Sequence, residues 1–308
     1  MEIIVAIPCY NEELTIRKVV LDFRKELPEA RIVVMNNLST DKTAFLAHEA
    51  GAEVTDVPRQ GKGAVIRELF RSYEADVYVL VDGDDTYPAE AVRKLISAVV
   101  DEHMDMAVGD RLSNGTYYKE NKRGFHDFGN NLVRWLVNFC FKSHLTDIMT
   151  GYRAFSRRFV KNMPLLYDGF QVETELTISA LDRKFFIKEI PIAYRDRPAG
   201  SFSKLNTFRD GFRVLRTIVT TLRDYQPLLF FGSFALVLFL LGLAAGLPVL
   251  VEYARTAFVS HVPLAILSVA LMIISGLTAV CGLILNTMVT HNRQNNELTI
   301  IQSNDRSR

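Results

Sequence analysis

The sequence predicts an α/β domain on a mostly parallel sheet, followed by two membrane-spanning helices. Three observations carry this expectation. Short apolar strands alternate with helical segments through residues 1–100. Polar clusters follow three of those strands. Two long runs without a charged residue, Pro227 to Val251 and Leu264 to Val289, lie near the end of the chain.

Taken in order, Ile3–Ile7 is a short apolar run ending at Pro8 and reads as a buried strand. Apolar residues at helical spacing fill Glu12 to Leu27. Arg31–Met35 is a second strand, followed by a polar loop at Asn36–Asp41 and a helix through Glu49. Lys62–Tyr73 is the next helix, Asp76–Val81 the clearest strand, and Pro88–Val100 the helix after it. Such alternation gives a parallel sheet with helices on both faces. Ligands then bind beyond the carboxyl ends of the strands. Tyr10-Asn11-Glu12, Asn36-Asn37 and Asp82-Gly83-Asp84-Asp85 should therefore meet on one rim. From Gly109 to Leu205 the pattern is mixed. Within it, Gly109-Asp110-Arg111 reads equally as a site turn or a strand-end turn, His126 as a surface or packing residue, and Trp135 as a core or membrane-interface aromatic.

Leu205, Phe208, Phe212, Leu215, Val219 and Leu222 recur at helical spacing among Arg209, Arg213, Arg216 and Arg223. The segment 205–225 is expected to be an amphipathic helix lying at a membrane surface. Both charge-free runs exceed the roughly 20 apolar residues that cross a bilayer. They define a two-span anchor over 226–290, with spans 227–251 and 264–289, and leave 1–204 as the α/β domain. Arginines gather before the first span and Arg293 follows the second, whereas the link carries only Arg255 as a fixed positive charge. The positive-inside rule places the domain and both termini in the cytoplasm. The tail 291–308 is polar and expected to be disordered.

A net charge of +1 gives no reason to expect nucleic acid as a partner. Cys9, Cys140 and Cys281 are too scattered for a metal or disulfide pattern. Gly61-Lys62-Gly63 is not a P-loop, because the Gly-x-x-x-x-Gly-Lys-[Ser/Thr] pattern is absent.

Asp82, Asp84 and Asp85 crowd three carboxylates at a strand end. Like charges this close are costly without a cation, and Mg²⁺ typically takes one or two carboxylates plus substrate phosphates. The alternative is a solvated acidic turn. Glu173 and Glu175 are candidates for contacts to a substrate's hydroxyls, or the polar face of a helix.

Further segments resemble the family 2 glycosyltransferases of the GT-A fold. They are Ile7-Pro8-Cys9-Tyr10-Asn11-Glu12-Glu13, Asn36 to Thr43, Gly61-Lys62-Gly63 and Val81-Asp82-Gly83-Asp84. Asp147 to Phe155 and Arg197 to Leu205 resemble the polyprenyl-phosphate branch of that family. The resemblance implies a Rossmann-like GT-A domain in which Pro8, Tyr10, Asn11, Glu12, Asn37, Lys62, Asp82, Gly83 and Asp84 bind a nucleotide-sugar. It implies Asp82 and Asp84 as ligands of Mg²⁺ or Mn²⁺, and Arg153, Arg197, Ser203 and Lys204 as the acceptor-phosphate site. Asp84, Arg153, Arg197 and Lys204 are the residues that would carry catalysis. The family commonly has Asp where this chain has Asn36.

The expected reaction is inverting transfer of a hexose to undecaprenyl or dolichyl phosphate at the cytoplasmic face of a bacterial or archaeal plasma membrane. UDP-glucose or UDP-GlcNAc is favoured as donor, with GDP-mannose behind. The partners are then donor, polyprenyl phosphate and membrane lipid, and a homo-oligomer is allowed. A processive polysaccharide synthase and a non-catalytic nucleotide-sugar-binding scaffold are the alternatives. No general base is identified, and no role is assigned to Asp85.

Overall fold

The computed structural model describes residues 1–113, 124–169, 171–196, 216 and 219–306, with the side chains of 124–130 and 302–306 outside that description. The chain forms two compact units, Met1–Phe212 and Arg213–Arg308.

The first unit is built on a seven-stranded sheet. The strands are β1 (Ile3–Cys9), β2 (Arg31–Asn36), β3 (Glu53–Asp56), β4 (Val77–Leu80), β5 (Met106–Asp110), β6 (Arg153–Ser156) and β7 (Ile187–Pro191). Their spatial order is β3-β2-β1-β4-β6-β5-β7. β2 pairs in parallel with β1 and β3, β1 with β4, and β5 with β7. β6 alone runs antiparallel, between β4 and β5. The helices between the strands are α1 (Ile16–Glu26), α2 (Thr43–Glu49), α3 (Lys62–Ser72), α4 (Val92–Val100), α5 (Gly124–Phe141), α6 (Arg157–Lys161) and α7 (Val172–Asp182).

The sheet centre is apolar on both faces, as a covered parallel sheet requires. Ile4, Val5, Ala6, Ile7, Val33, Val34, Val79 and Leu80 have no exposed surface. α1 buries Ile16, Val19, Val20 and Phe23 on one stripe, and α4 buries Val92, Leu95, Ile96 and Val99. These spacings match the amphipathic pattern read from the sequence. β3 was not expected: its Glu-Val-Thr-Asp run is half-exposed at the sheet edge and lacks an apolar signature. The expected helix from Pro88 begins with a 3₁₀ turn, Ala89–Ala91.

This order places a functional rim. β1 is followed in space by β2 on one side and β4 on the other, so the gap between β1 and β4 is a topological switch point. Antiparallel β6 starts at the same edge, because Arg153 pairs with Leu80. The segment before β6 therefore arrives beside the residues that leave β4.

α7 departs from expectation. Every residue from Val172 to Ser179 is buried, Glu173 and Glu175 included. It has no solvated face. Trp135 is 60% exposed and stacks on Phe139, with ring centroids 5.5 Å apart, so it is not a core aromatic.

In the second unit, residues 216 and 219–225 are helical; the rest of the expected amphipathic helix lies outside the described residues. Two long helices follow, α8 (Pro227–Thr256) and α9 (Val262–Arg306). Both are long and apolar enough to cross a membrane. Ser268 Oγ donates to the Gly242 carbonyl and Ser275 Oγ to the Ala235 carbonyl, each at 2.8 Å. Large apolar side chains such as Phe234, Leu240, Ile266 and Leu277 stay exposed along both. The tail expected to be disordered is instead helical through Arg306, as a continuation of α9. Asn292 to Arg306 contains neither Pro nor Gly to stop it.

Candidate active site

The rim between β1 and β4 gathers most of the described candidate residues. After β4 the chain turns through Asp82, Gly83 and Asp84. Thr15, at the head of α1, fixes this turn by donating its hydroxyl to the Gly83 carbonyl at 2.6 Å.

Asp82 does not stand alone. Its carboxylate takes a charge-assisted hydrogen bond from Lys62, whose ammonium also lies 2.7 Å from the Glu173 carboxylate. Burial by itself would push the Lys62 ammonium to lose its proton, but Asp82 and Glu173 outweigh it and hold the group well above the ordinary lysine value. Lys62 enters from the first turn of α3 and Glu173 from the first turn of α7.

Two glycines make the assembly possible. A Cβ at Gly151 would overlap the Asp82 carboxylate and come within 2.8 Å of Lys62 Nζ. Gly151 is held there by its amide, which donates to the Tyr87 hydroxyl at 2.9 Å. Gly61 has φ +128°, and a Cβ there would overlap the Asp168 carbonyl. Only glycine meets both demands, and it brings Lys62 to its place.

Asp84 is 5% exposed, and its Oδ1 accepts from the Thr86 hydroxyl (2.6 Å) and amide (3.3 Å). Asp85 turns away, with φ +59°, and pairs with Lys18 at 2.7 Å. The acidic run is thus split between a buried site residue and a surface ion pair.

The β1 end is tied to the β2 end. Asn11, at φ +54°, accepts the Thr40 amide at 2.8 Å and donates its own amide to Ser39 Oγ at 3.0 Å. The Glu12 amide donates to Thr43 Oγ1 at 2.8 Å. Tyr10 is exposed at the rim, with Pro8 half-buried before it.

Asn37, expected among the nucleotide-sugar contacts, has its side chain tied to the protein. It donates to the Val57 and Arg59 carbonyls at 3.1 and 2.8 Å and accepts from the Gly61 amide at 2.7 Å, which anchors the loop leading to Lys62. Arg153 does not present its guanidinium to an acceptor phosphate. It has no exposed surface, and it donates to the carbonyls of Thr150, Ile148 and Glu173 and to the Thr177 hydroxyl at 2.6–3.0 Å. Burial pulls its pKa down to about 10. Its β6 position points it into the core, a direction that spacing alone does not give. Arg197, Ser203 and Lys204 lie outside the described residues.

Arg111 makes a bidentate pair with buried Asp147, at 2.7 and 2.9 Å, joining the ends of β5 and the segment before β6. Glu175 accepts the amides of Leu166 and Tyr167 at 2.7 and 3.2 Å. Neither pairing carries a local signal.

A divalent cation is implied by the resemblance, and the residues fit one. Asp82 and Glu173 share the Lys62 ammonium, and Asp84 follows Asp82 by two residues at the same turn. The available donors are hard carboxylate oxygens. Among the described residues no three acidic, histidine or cysteine side chains form a complete cation cage. That suits an ion which takes one or two carboxylates and draws its other ligands from substrate phosphates.

The model of the family described as glycosyl transferase family 2 matches residues 4–163, spanning the rim residues and the turn at Asp82. The chain belongs to this family. This family 2 glycosyltransferase is 33% identical over 267 residues to the glycosyltransferase AglJ of Haloferax volcanii, covering 85% of this chain and 86% of that one. It is 30% identical over 218 residues to a dolichyl-phosphate hexose transferase of the same organism, covering 71% and 92%. A glucosyl-3-phosphoglycerate synthase from Mycobacterium tuberculosis, solved with Mn²⁺, UDP and phosphoglyceric acid, superposes with a TM-score of 0.59 at 22% identity. That superposition covers 72% of this chain and 77% of the synthase, and identifies the GT-A fold.

Proposed function

We propose that this glycosyltransferase moves a hexose from a nucleotide diphosphate sugar to a polyprenyl phosphate at the cytoplasmic face of a membrane. The observation that carries this reading is the Lys62–Asp82–Glu173 cluster beside Asp84, at the switch point of a chain that also holds two helices fit to cross a bilayer. The name of the dolichyl-phosphate hexose transferase relative supports the acceptor class.

The chemistry asks little of a general base. A phosphate monoester has a second pKa near 6 and is largely ionised at neutral pH. The acceptor phosphate then attacks the anomeric carbon in one displacement, with inversion. The protein's task is to position two phosphates and to balance charge on the departing nucleoside diphosphate. Mg²⁺ or Mn²⁺ held by Asp84 and Asp82 would neutralise that leaving group when bound. Lys62 and Glu173 hold the Asp82 carboxylate in one orientation. The fixed loops at Asn11 and Gly61 shape the floor on which the donor lies.

A thermal-shift screen of UDP-glucose, UDP-GlcNAc and GDP-mannose, each with Mg²⁺ or Mn²⁺, tests donor binding. A true donor at a hundredfold excess over its Kd stabilises the protein by about 2.7 kcal/mol. A folded protein whose melting temperature no sugar nucleotide raises would count against the reading.

A further inference from the structure

The segment 165–168, between α6 and α7, is fastened on two sides. On one side stands α3. Arg67 Nε donates to the Leu165 carbonyl and Arg67 Nη1 to Asp168 Oδ1, both at 2.8 Å. The Asp168 carbonyl accepts the Gly63 and Ala64 amides at 2.8 and 3.3 Å. Those amides are orphan donors in the first turn of a helix that has no side-chain cap. A Cβ at Gly63 would overlap the Tyr167 carbonyl, so the two backbones touch. On the other side stands α7, where Glu175 accepts the Leu166 and Tyr167 amides at 2.7 and 3.2 Å.

Apolar packing does not account for this strap. Leu165 is buried, but Leu166 and Tyr167 are 79% and 44% exposed. The polar anchors lie deeper: the Arg67 side chain is 14% exposed and Glu175 is buried. Their bonds to the backbone fix the course of the segment. The helices they belong to are the two that deliver the ion pair of the site. Lys62 opens α3, and Glu173 lies in the first turn of α7.

We propose that Arg67 and Glu175 are positioning residues for transfer: by fastening one strap to both helices, they hold Lys62 and Glu173 together and so orient the Asp82 carboxylate. This rests on the transferase reading above. A lysine ammonium rides on a flexible four-carbon stem, so its place is set by the backbones around it. The guanidinium fork of Arg67 reaches the Leu165 carbonyl and the Asp168 carboxylate at once, which a lysine at that position does not reproduce. Glu175 offers one oxygen to each of two amides. Glutamine there keeps one acceptor and sets an NH₂ group against the other amide.

The test joins amide hydrogen exchange with transfer kinetics on the full chain, for Arg67→Lys, Glu175→Gln and Glu175→Leu. A strap carries a disturbance across. Arg67→Lys should speed exchange about tenfold at Leu166 and Tyr167, which Glu175 holds, and Glu175→Gln should do the same at Gly63 and Ala64, with α4 unchanged. In transfer, kcat should fall about tenfold with the KM for polyprenyl phosphate unchanged, and Glu175→Gln should lose less than Glu175→Leu. Arg67→Lys and Glu175→Gln decide the matter if Glu175→Leu does not fold. Faster exchange confined to the substituted side, or spread equally through α4, overturns the proposal, as does wild-type kcat in a variant whose strap is loosened. Each of these leaves the transferase reading intact. A wild type that transfers from no UDP- or GDP-sugar overturns both.

Discussion

Lys62 Nζ lies 2.7 Å from Glu173 Oε1, with both side chains more than nine-tenths buried. The same ammonium holds Asp82. A buried ion pair is weak evidence for stability, since desolvation offsets the attraction, but breaking one strands a charge. The contact therefore reads as a positioning device for Asp82, and its removal has two separable consequences.

Lys62→Met should destabilise the protein by about 3 kcal/mol, because Asp82 and Glu173 lose their shared cation. Glu173→Gln in the Lys62→Met background should recover part of that loss. A double-mutant cycle on unfolding midpoints reads the coupling. Strictly additive effects would refute a shared cluster.

Gly151→Ala places a methyl group where the Asp82 carboxylate and Lys62 ammonium now sit. Displacing a positioning group by about 1 Å costs on the order of 100-fold in rate. Transfer by the folded variant should fall at least tenfold, with the unfolding midpoint lowered by no more than it is in Lys62→Met. Wild-type turnover in a folded Gly151→Ala protein would show that Asp82 geometry does not matter.

Arg153 separates a structural role from a ligand role. Three carbonyls and one hydroxyl depend on its guanidinium. Leaving buried acceptors unmatched costs about 1–3 kcal/mol each. Arg153→Met should therefore lower stability by several kcal/mol, with the KM for polyprenyl phosphate in the surviving folded fraction near wild type. A selective rise in that KM with unchanged stability would restore the phosphate role.

Asp147 gives a pH signature. Burial alone would raise its carboxyl, but the Arg111 guanidinium outweighs burial and holds it below the ordinary value of 3.8. A group depressed in the folded state adds stability above its unfolded pKa and loses it as pH falls through the folded one. Asp147→Asn should be less stable than wild type at pH 6, and the two denaturant midpoints should converge below about pH 4. A gap that stays constant across that range would exclude the linkage.

The sheet and its rim were legible because they follow from local pattern. Ile3–Ile7, Arg31–Met35 and Asp76–Val81 are apolar enough to mark buried strands, and a parallel sheet sends their ends to one edge. β3 escaped notice because Glu53 and Asp56 mask its single valine. The Glu173 contact escaped for a different reason. α7 is buried on every side, so an acid on it resembles a solvated face until tertiary packing is known. Arg153 makes the same point in reverse: an arginine beside a motif reads as a phosphate ligand, yet its strand position turns it inward. The helical continuation to Arg306 was hidden by polarity, which indicates disorder only where no neighbouring helix extends into it.

The most direct measurement is transfer of radiolabel from nucleotide-sugars to polyprenyl phosphate by membranes containing this chain. The account predicts a lipid-extractable labelled product with at least one UDP- or GDP-sugar. It also predicts that EDTA abolishes the product, that Mg²⁺ or Mn²⁺ restores it, and that Asp84→Ala lacks it. No lipid-extractable product from any UDP- or GDP-sugar would contradict the account, as would full transfer by the Asp84→Ala protein.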